Sequence, residues 1–449
     1  RGEGEQRTWK GGVKADALSA LHEGKQVVWE NPVDLAFKAH KGREGVILDE
    51  FTCQSSFLTA EGAGTLKEGR FQVQADLAAL YSELSRFCDL GDIQLRGKMR
   101  GRAEWSQSHG DEIQTTADAK IENFALQAPG QPAWEEKELT IKSTVNLVLE
   151  NQAIGRASGG ELSLVSGGDR CSLVLLKPVA APFDQATWPF RVEGNGKLET
   201  WCARLSKFLP LTGWELAGQF NVAGEAELSP TTLRWSNARG AAQQVRAFGH
   251  SYYIQEPRIE LLGSKGSFDL ASGALQIDEL SARGASLSIL AEKVVVQPTA
   301  ENFHLAGRID YEAKLETLQS WRHHPQLPPE MILQGRAKGM IIADTDGASA
   351  SINYTVEAAP FTIAKAVENR SATRAEPAST RAAQRNVNVL WRESSLLSSG
   401  RVEYDLQSGQ TRLDGVRVSG DSLAATIKGV LRDLSTQCVA DVSGELEYD

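Results

Sequence analysis

Seven histidines are the first place to look for chemistry. His22, His40, His109, His250, His304, His323 and His324 form no HExxH, no HxH and no nucleophile–base spacing. His323-His324 lies among prolines at a helix end, where a solvated pair near the last carbonyls is the simpler reading than a metal site. Asp344-Thr345-Asp346-Gly347 resembles a calcium-type turn, but the further ligands and distal Glu of an EF-hand are missing, so a hairpin turn is expected. Gly62-Ala63-Gly64 and Gly194-Asn195-Gly196 lack the strand-to-helix setting of a dinucleotide loop, and no P-loop is present. The cysteines Cys53, Cys88, Cys171, Cys202 and Cys438 are scattered, with neither a CxxC nor a Cys/His cluster. Trp105, Trp134, Trp214 and Trp391 suit the rims of a sheet, and such rings also stack on sugars. These residues call for no catalytic group, no metal and no cofactor.

What carries the side chains is a chain of 449 residues with 48 basic and 58 acidic side chains, a net charge of −10. The acidic balance argues against a nucleic-acid partner bound by bulk charge. Apolar residues at 41 % suffice for a core, while 41 glycines without a three-residue period exclude collagen and suggest many short strands joined by tight turns. No run of about 18 apolar residues occurs, so no helical membrane span is expected. The chain starts at Arg1 and is read as a piece of a longer protein.

Period-two alternation dominates. Ile141, Val145, Leu147 and Leu149 share one face of a predicted strand, with Lys142, Thr144, Asn146 and Glu150 on the other. Phe303, Leu305, Ile309 and Tyr311 repeat the pattern against His304, Arg308 and Asp310. Three stretches break it. Leu77, Leu80, Leu84 and Phe87, and then Leu198, Trp201, Leu205 and Phe208, have helical spacing. Leu315 and Leu318 begin a third copy in which Arg322 and Pro325 stand where apolar residues are due, so a short helix limited by Pro325, Pro328 and Pro329 is predicted.

The helices keep a fixed register with later glycines. Leu77, Leu198 and Leu315 each lie 20 residues before Gly97, Gly218 and Gly335, and those glycines are spaced by 121 and 117 residues. Asp269-Leu270-Ala271-Ser272-Gly273 recurs as Asp405-Leu406-Gln407-Ser408-Gly409 at an offset of 136. The excess of 19 residues matches the polar, Arg-rich segment 368–386, expected to be a surface loop. This register divides the chain into strands of a preceding repeat (1–70), unit 1 (71–191), unit 2 (192–308), unit 3 (309–445, with the 368–386 insertion) and the start of a fourth unit (446–449).

The pattern resembles the AsmA/TamB superfamily of bacterial envelope proteins. The residues that carry the resemblance are Ala75-Asp76-Leu77-Ala78-Ala79-Leu80 with Gly97 and Gly101, and Gly196-Lys197-Leu198-Glu199-Thr200-Trp201 with Gly218 and Gly224. The paired Asp-Leu-x-Ser-Gly turns at 269 and 405 add to it, and together these short motifs span most of the chain. The resemblance implies an all-β fold, an elongated, twisted antiparallel sheet of repeated units curled into a groove, with short helices between units. It also implies a periplasmic, inner-membrane-anchored protein of phospholipid transport or outer-membrane biogenesis. The anchor would lie in segments outside this chain, with other envelope proteins as partners. The third helix and the insertion depart from the pattern, so the resemblance carries no continuous groove through that unit.

A one-sided apolar sheet agrees with this reading, because acyl chains gain roughly 0.8 kcal/mol per buried CH₂ with no directional chemistry. The expected lining residues are Ile141, Val145, Leu147, Leu149, Leu287, Ile289, Phe303, Leu305 and Ile309. The alternative is that these residues pack against a second sheet in closed sandwiches, as in a structural or adhesive repeat protein that binds glycans or protein partners.

Overall fold

The computed structural model describes residues 7–15, 18–22, 25–29, 32–42, 45–86, 93–127, 133–150, 153–205, 213–249, 251–298, 303–322, 331–345, 348–366, 387–406, 408–432 and 439–448. The fold class is the expected one: all-β and antiparallel, with 25 strands assigned to one sheet and a small separate pair, Leu18–His22 with Lys25–Trp29. Three short helices are the other regular elements among the described residues: α1 (Leu77–Leu84), α2 (Leu198–Leu205) and α3 (Leu315–Trp321). They begin at the three leucines that the register singles out. Apart from the two-residue bridge Val179–Ala180, six strands separate α1 from α2, and six separate α2 from α3.

By its contacts the chain divides into two compact units, Arg1–Thr212 with Asn221–Pro230, and Gly213–Phe220 with Thr231–Asp449. Within the first, strands pair with their sequence neighbours from Thr8–Ala15 and Val33–Gly42 through Trp134–Glu150 to Asp169–Leu175 and Trp188–Lys197. Within the second, the same meander runs from Thr232–Gly249 to Val439–Tyr448. Such local pairing needs only short turns. Asp269 and Asp405 build two of them by accepting the amides of Ser272 and Ser408, each at 2.7 Å, while Gly273 and Gly409 take φ of 71° and 67°.

The register glycines mark a recurring irregularity. Gly97, Gly218 and Gly335 have φ of 135°, 136° and 132°, where a side chain is strained. Beside Gly97 and Gly335 the ladder slips by one residue, and a Cβ on Gly335 would sit 1.8 Å from the Pro360 carbonyl oxygen. The spacing read in the sequence is therefore the spacing of a strand position held at positive φ.

The helices attach differently. Asp76 caps α1, accepting the amides of Ala78 and Ala79 at 3.1 Å, and Leu77 is buried with Ala75, Ile121, Phe124 and Leu139. α3 has no capping side chain. Instead, the Gln319 amide bridges the strand Met331–Thr345, donating to the Met331 carbonyl at 2.6 Å and accepting from the Leu333 amide at 2.8 Å. Arg322, out of place in an apolar stripe, has its guanidinium 5.9 Å from the Tyr252 ring centre. The predicted proline limit of α3 and the segment 368–386 lie outside the described residues.

Candidate functional site: a one-sided apolar sheet

Residues directly opposite on antiparallel strands project from the same face, so the registers trace each face across each unit. In the first unit, Ile141 lies beside Ala119 and Leu164, Val145 beside Thr115 and Gly160, and Leu147 beside Ile113 and Ala157. From there the row passes through Gly101 to Val73 and Ala60, then through Cys53 and Leu35 to Val13. In the other direction it passes from Leu162 through Leu173 to Val192. Nearly every position is apolar, Gly or Ala. The opposite face carries Lys98, Arg100, Arg102, Asp118, Lys120 and Lys142.

The second unit has the same asymmetry. Leu287 lies beside Ala313, Ile289 beside Tyr311, and Ile309 beside Ala291 and Ile341. The row continues through Tyr354, Ile352 and Val402 to Leu413, and through Val418 and Ala425 to Leu446. Leu305 shares this face through Val296. The structure thus places Ile141, Val145, Leu147 and Leu149 on the apolar face of one unit, and Leu287, Ile289, Leu305 and Ile309 on that of the other. Phe303 begins its strand, but its side chain lies outside the described part.

None of these eight side chains belongs to the buried core; all are half-buried. The same rows also hold buried residues, Ala60, Ile113 and Ala157 in one unit and Ala291 and Ala313 in the other, and Ile141 and Leu164 pack against the buried cluster of Ala75, Leu77, Ile121, Phe124 and Leu139. Aromatic rings lie down on this face. A Cβ on Gly69 would meet the Trp105 ring at 2.3 Å, and one on Gly266 the Trp235 ring at 2.5 Å, so glycine across the ladder lets each ring rest on the sheet. A hollow of about 480 Å³ sits beside Trp105, walled by Val46, Leu48, Phe51, Leu66 and Phe71. On the opposite face a hollow of about 540 Å³ is lined by charges, among them the Lys338–Glu357 pair at 3.0 Å, together with Leu290, Met340 and Leu397.

One polar constellation escaped the sequence reading. Arg204 on α2 reaches Glu136 (Nε to Oε1, 2.8 Å) and Asp169 (Nη1 to Oδ2, 2.9 Å), with all three side chains no more than 7 % exposed. The Trp134 indole donates to Glu136 at 2.8 Å, the Lys197 amide donates to Asp169 at 3.0 Å, and the guanidinium lies 5.0 Å from the Trp201 ring centre. Burial pushes the Glu136 carboxyl up, but the Ser166 hydroxyl, the Trp134 indole and Arg204 together hold it below the usual carboxylate value. With every donor facing inward, this cluster clamps α2 to the sheet.

Glu136 has counterparts at the register offsets. Glu256 follows it by 120 residues and Glu393 follows Glu256 by 137, and both are buried. Glu393 accepts from the Trp391 indole at 2.8 Å and from the Ser422 hydroxyl and the Asp421 amide, which lower its carboxyl. Glu256 accepts from the Ala285 amide at 2.9 Å. Each glutamate fastens a turn or a helix to the sheet. The signal was the repeated Trp-x-Glu at 134 and 391, masked where Ile254 replaces the tryptophan.

Asp344 and Thr345 close a hairpin in which Thr345 pairs with Ala350. His304 lies 3.8 Å from Asp344, and no group of three metal-ligating residues occurs among the described residues. Cys53, Cys171 and Cys202 are free thiols, and burial pushes Cys171 and Cys202 up. His22 and His250, His323-His324, Cys88 and Cys438 lie outside what is described of side chains. No described helix is long and apolar enough to cross a membrane. Together these features define an all-β protein whose sheet is apolar on one face and charged on the other. No protein-family model and no curated protein matches the chain.

Proposed function

We propose that this chain is a non-enzymatic, lipid-carrying segment of a bacterial cell-envelope protein, with the apolar sheet face as the surface on which phospholipid acyl chains lie. The observation that carries the reading is the half-buried apolar row, running through Ile141, Val145 and Leu147 in one unit and Leu287, Ile289 and Ile309 in the other. A solvated face would be charged; this one is apolar, with half-buried positions beside buried ones such as Ile113, Ala157 and Ala313.

The energetics are sufficient. An acyl chain of about 16 carbons, half-shielded by such a face, gains about 6 kcal/mol, enough to hold it and little enough to let it move along the row. Movement of this kind needs no catalytic residue, cofactor or metal. The resemblance to AsmA/TamB proteins supports the periplasmic setting, the role in phospholipid transport or outer-membrane biogenesis, and an anchor supplied by other segments. The test is organic extraction of the purified, folded chain followed by mass spectrometry. The expected result is bound phospholipid that falls in an Ile141→Asp/Ile289→Asp variant. A folded sample that holds none, and takes none up from vesicles, removes the reading.

A further inference from the structure

In the first unit the strand turns fall on two rims, and among the described residues only one rim carries helices. Leu77–Leu84 and Leu198–Leu205 follow the ends of Glu68–Asp76 and Trp188–Lys197. The turns that lead into those two strands, 65–67 and 176–187, lie on the other rim. At each of them a large apolar side chain stands in solvent. Leu66 is 65 % exposed and Phe183 78 %, and Val46, on the strand beside the first turn, is 60 % exposed. Apart from Val13, these are the most exposed large apolar side chains of the unit among the described residues. The helix-free rim of the second unit likewise exposes Leu270 and Leu406, in the paired Asp-Leu-x-Ser-Gly turns.

Both tips are built on fastened turns. The Thr65 hydroxyl accepts the Lys67 and Glu68 amides at 3.1 Å, and the Trp105 indole donates to the Thr65 carbonyl at 2.9 Å. The Ala181 amide donates to the Gly155 carbonyl at 2.8 Å and the Asp184 amide to the Ala181 carbonyl at 2.9 Å, over the buried Val179 and Pro182. Ala181 and Gln185, on either side of Phe183, take strained φ of 44° and 40°. The backbone is fixed while the ring stays in water, which is unfavourable until another surface covers it. Six strand spacings separate the two turns, roughly 30 Å along the rim. Tips so far apart suit an extended apolar medium better than one protein pocket. Lys67 with Glu68, and Lys177 with Asp184, balance the charge at each turn, so neither an acidic nor a basic partner is selected. The hollow beside Trp105 begins at Thr65 and Leu66 and runs to Phe51 and Phe71, which joins this rim to the apolar face.

We propose that the first unit docks this rim on a lipid bilayer, Leu66 and Phe183 entering the bilayer interface, so that acyl chains reach the apolar face through the hollow beside Trp105. The entry route rests on the lipid-carrying reading above. Docking itself needs only the exposed tips, because apolar side chains held at a bilayer surface leave water for the acyl boundary.

The test is flotation of the full 449-residue chain with phosphatidylcholine vesicles, with circular dichroism to check folding. The wild type should float with the vesicles equally in low and high salt, since salt screens charge and not apolar insertion. Leu66→Asp and Phe183→Asp should each weaken partition about tenfold, and the double variant further. Val165→Asp, opposite Thr140 on the charged face, should change nothing. Docking and carrying are read separately. The Leu66→Asp/Phe183→Asp variant should still hold phospholipid offered in detergent micelles, and the Ile141→Asp/Ile289→Asp variant should still float. A folded wild type left in the aqueous phase, flotation that salt removes, or undiminished flotation of the rim double variant overturns the proposal. So does self-association without vesicles that the same double variant abolishes, which would give the tips to a second copy of the chain.

Discussion

Replacing Arg204 with methionine isolates the contribution of the buried clamp. Methionine keeps much of the length and the apolar stem but removes the guanidinium that bridges Glu136 and Asp169. Both carboxylates then stay buried, Glu136 keeping the Trp134 and Ser166 donors and Asp169 the Lys197 amide. Removing one partner of a buried ion pair costs about 3–5 kcal/mol, because the remaining charge has lost its compensation. The clamp is local, so the loss should appear as opening of α2 and of the start of Trp134–Glu150. At about 1.4 kcal/mol per power of ten, amide exchange there should accelerate by roughly two to three and a half powers of ten, while Thr411–Ser419 in the other unit is unchanged. Hydrogen exchange with mass spectrometry reads both. Neutralising all three residues (Glu136→Gln, Asp169→Asn, Arg204→Met) should cost less than the single change, because no uncompensated charge remains. Acceleration below about tenfold in the single variant, or a triple variant that opens further, would refute the argument. The pH dependence follows from the lowered Glu136 carboxyl. Its contribution is present above the unfolded value of about 4.3 and is lost as pH falls through the lower folded one, so wild-type exchange should approach that of the variant only in acid.

Other outcomes follow from the same geometry. Gly335→Ala should cost about 2 kcal/mol or more in urea unfolding of the second unit, because φ of 132° and the Pro360 carbonyl leave no room for a Cβ. Ile254→Trp should raise the urea midpoint of that unit, about 1 kcal/mol in stability, by offering Glu256 the indole donor that Trp134 and Trp391 give Glu136 and Glu393; an unchanged or lower midpoint argues against equivalence of the three sites. Val145→Asp should weaken uptake of a fluorescent phospholipid several-fold, whereas Lys142→Asp on the opposite face should leave it unaltered.

The sequence and the structure meet most closely where geometry demands a residue type. Gly97, Gly218 and Gly335 were legible because a backbone at such positive φ tolerates little else. The helix starts at Leu77, Leu198 and Leu315 were legible for a related reason, since an apolar residue must turn inward where each strand ends. The face assignments of Ile141, Val145, Leu287 and Ile309 followed from the period of two, which one residue of slip would have inverted. What stayed hidden was held by partners distant in the chain. Arg204 stands where the register puts Glu83 and Trp321, so no repeated letter announced it, and its partners lie 68 and 35 residues away. Arg322 read as a fault in a helix because the Tyr252 ring that receives it belongs to another strand. The half-exposed state of the apolar row was also beyond sequence, because alternation is the same whether a second layer covers the face or not.

The central claim is that acyl chains lie on the apolar face. Photolabelling with a phospholipid carrying a diazirine in its acyl chain, mapped by peptide mass spectrometry, tests it most directly. Labels should concentrate on the rows holding Ile141, Val145, Ile289 and Ile309 and spare Lys142, Thr144 and Arg308 on the opposite face. Equal labelling of the two faces, or none on those rows in a folded chain, would contradict the account.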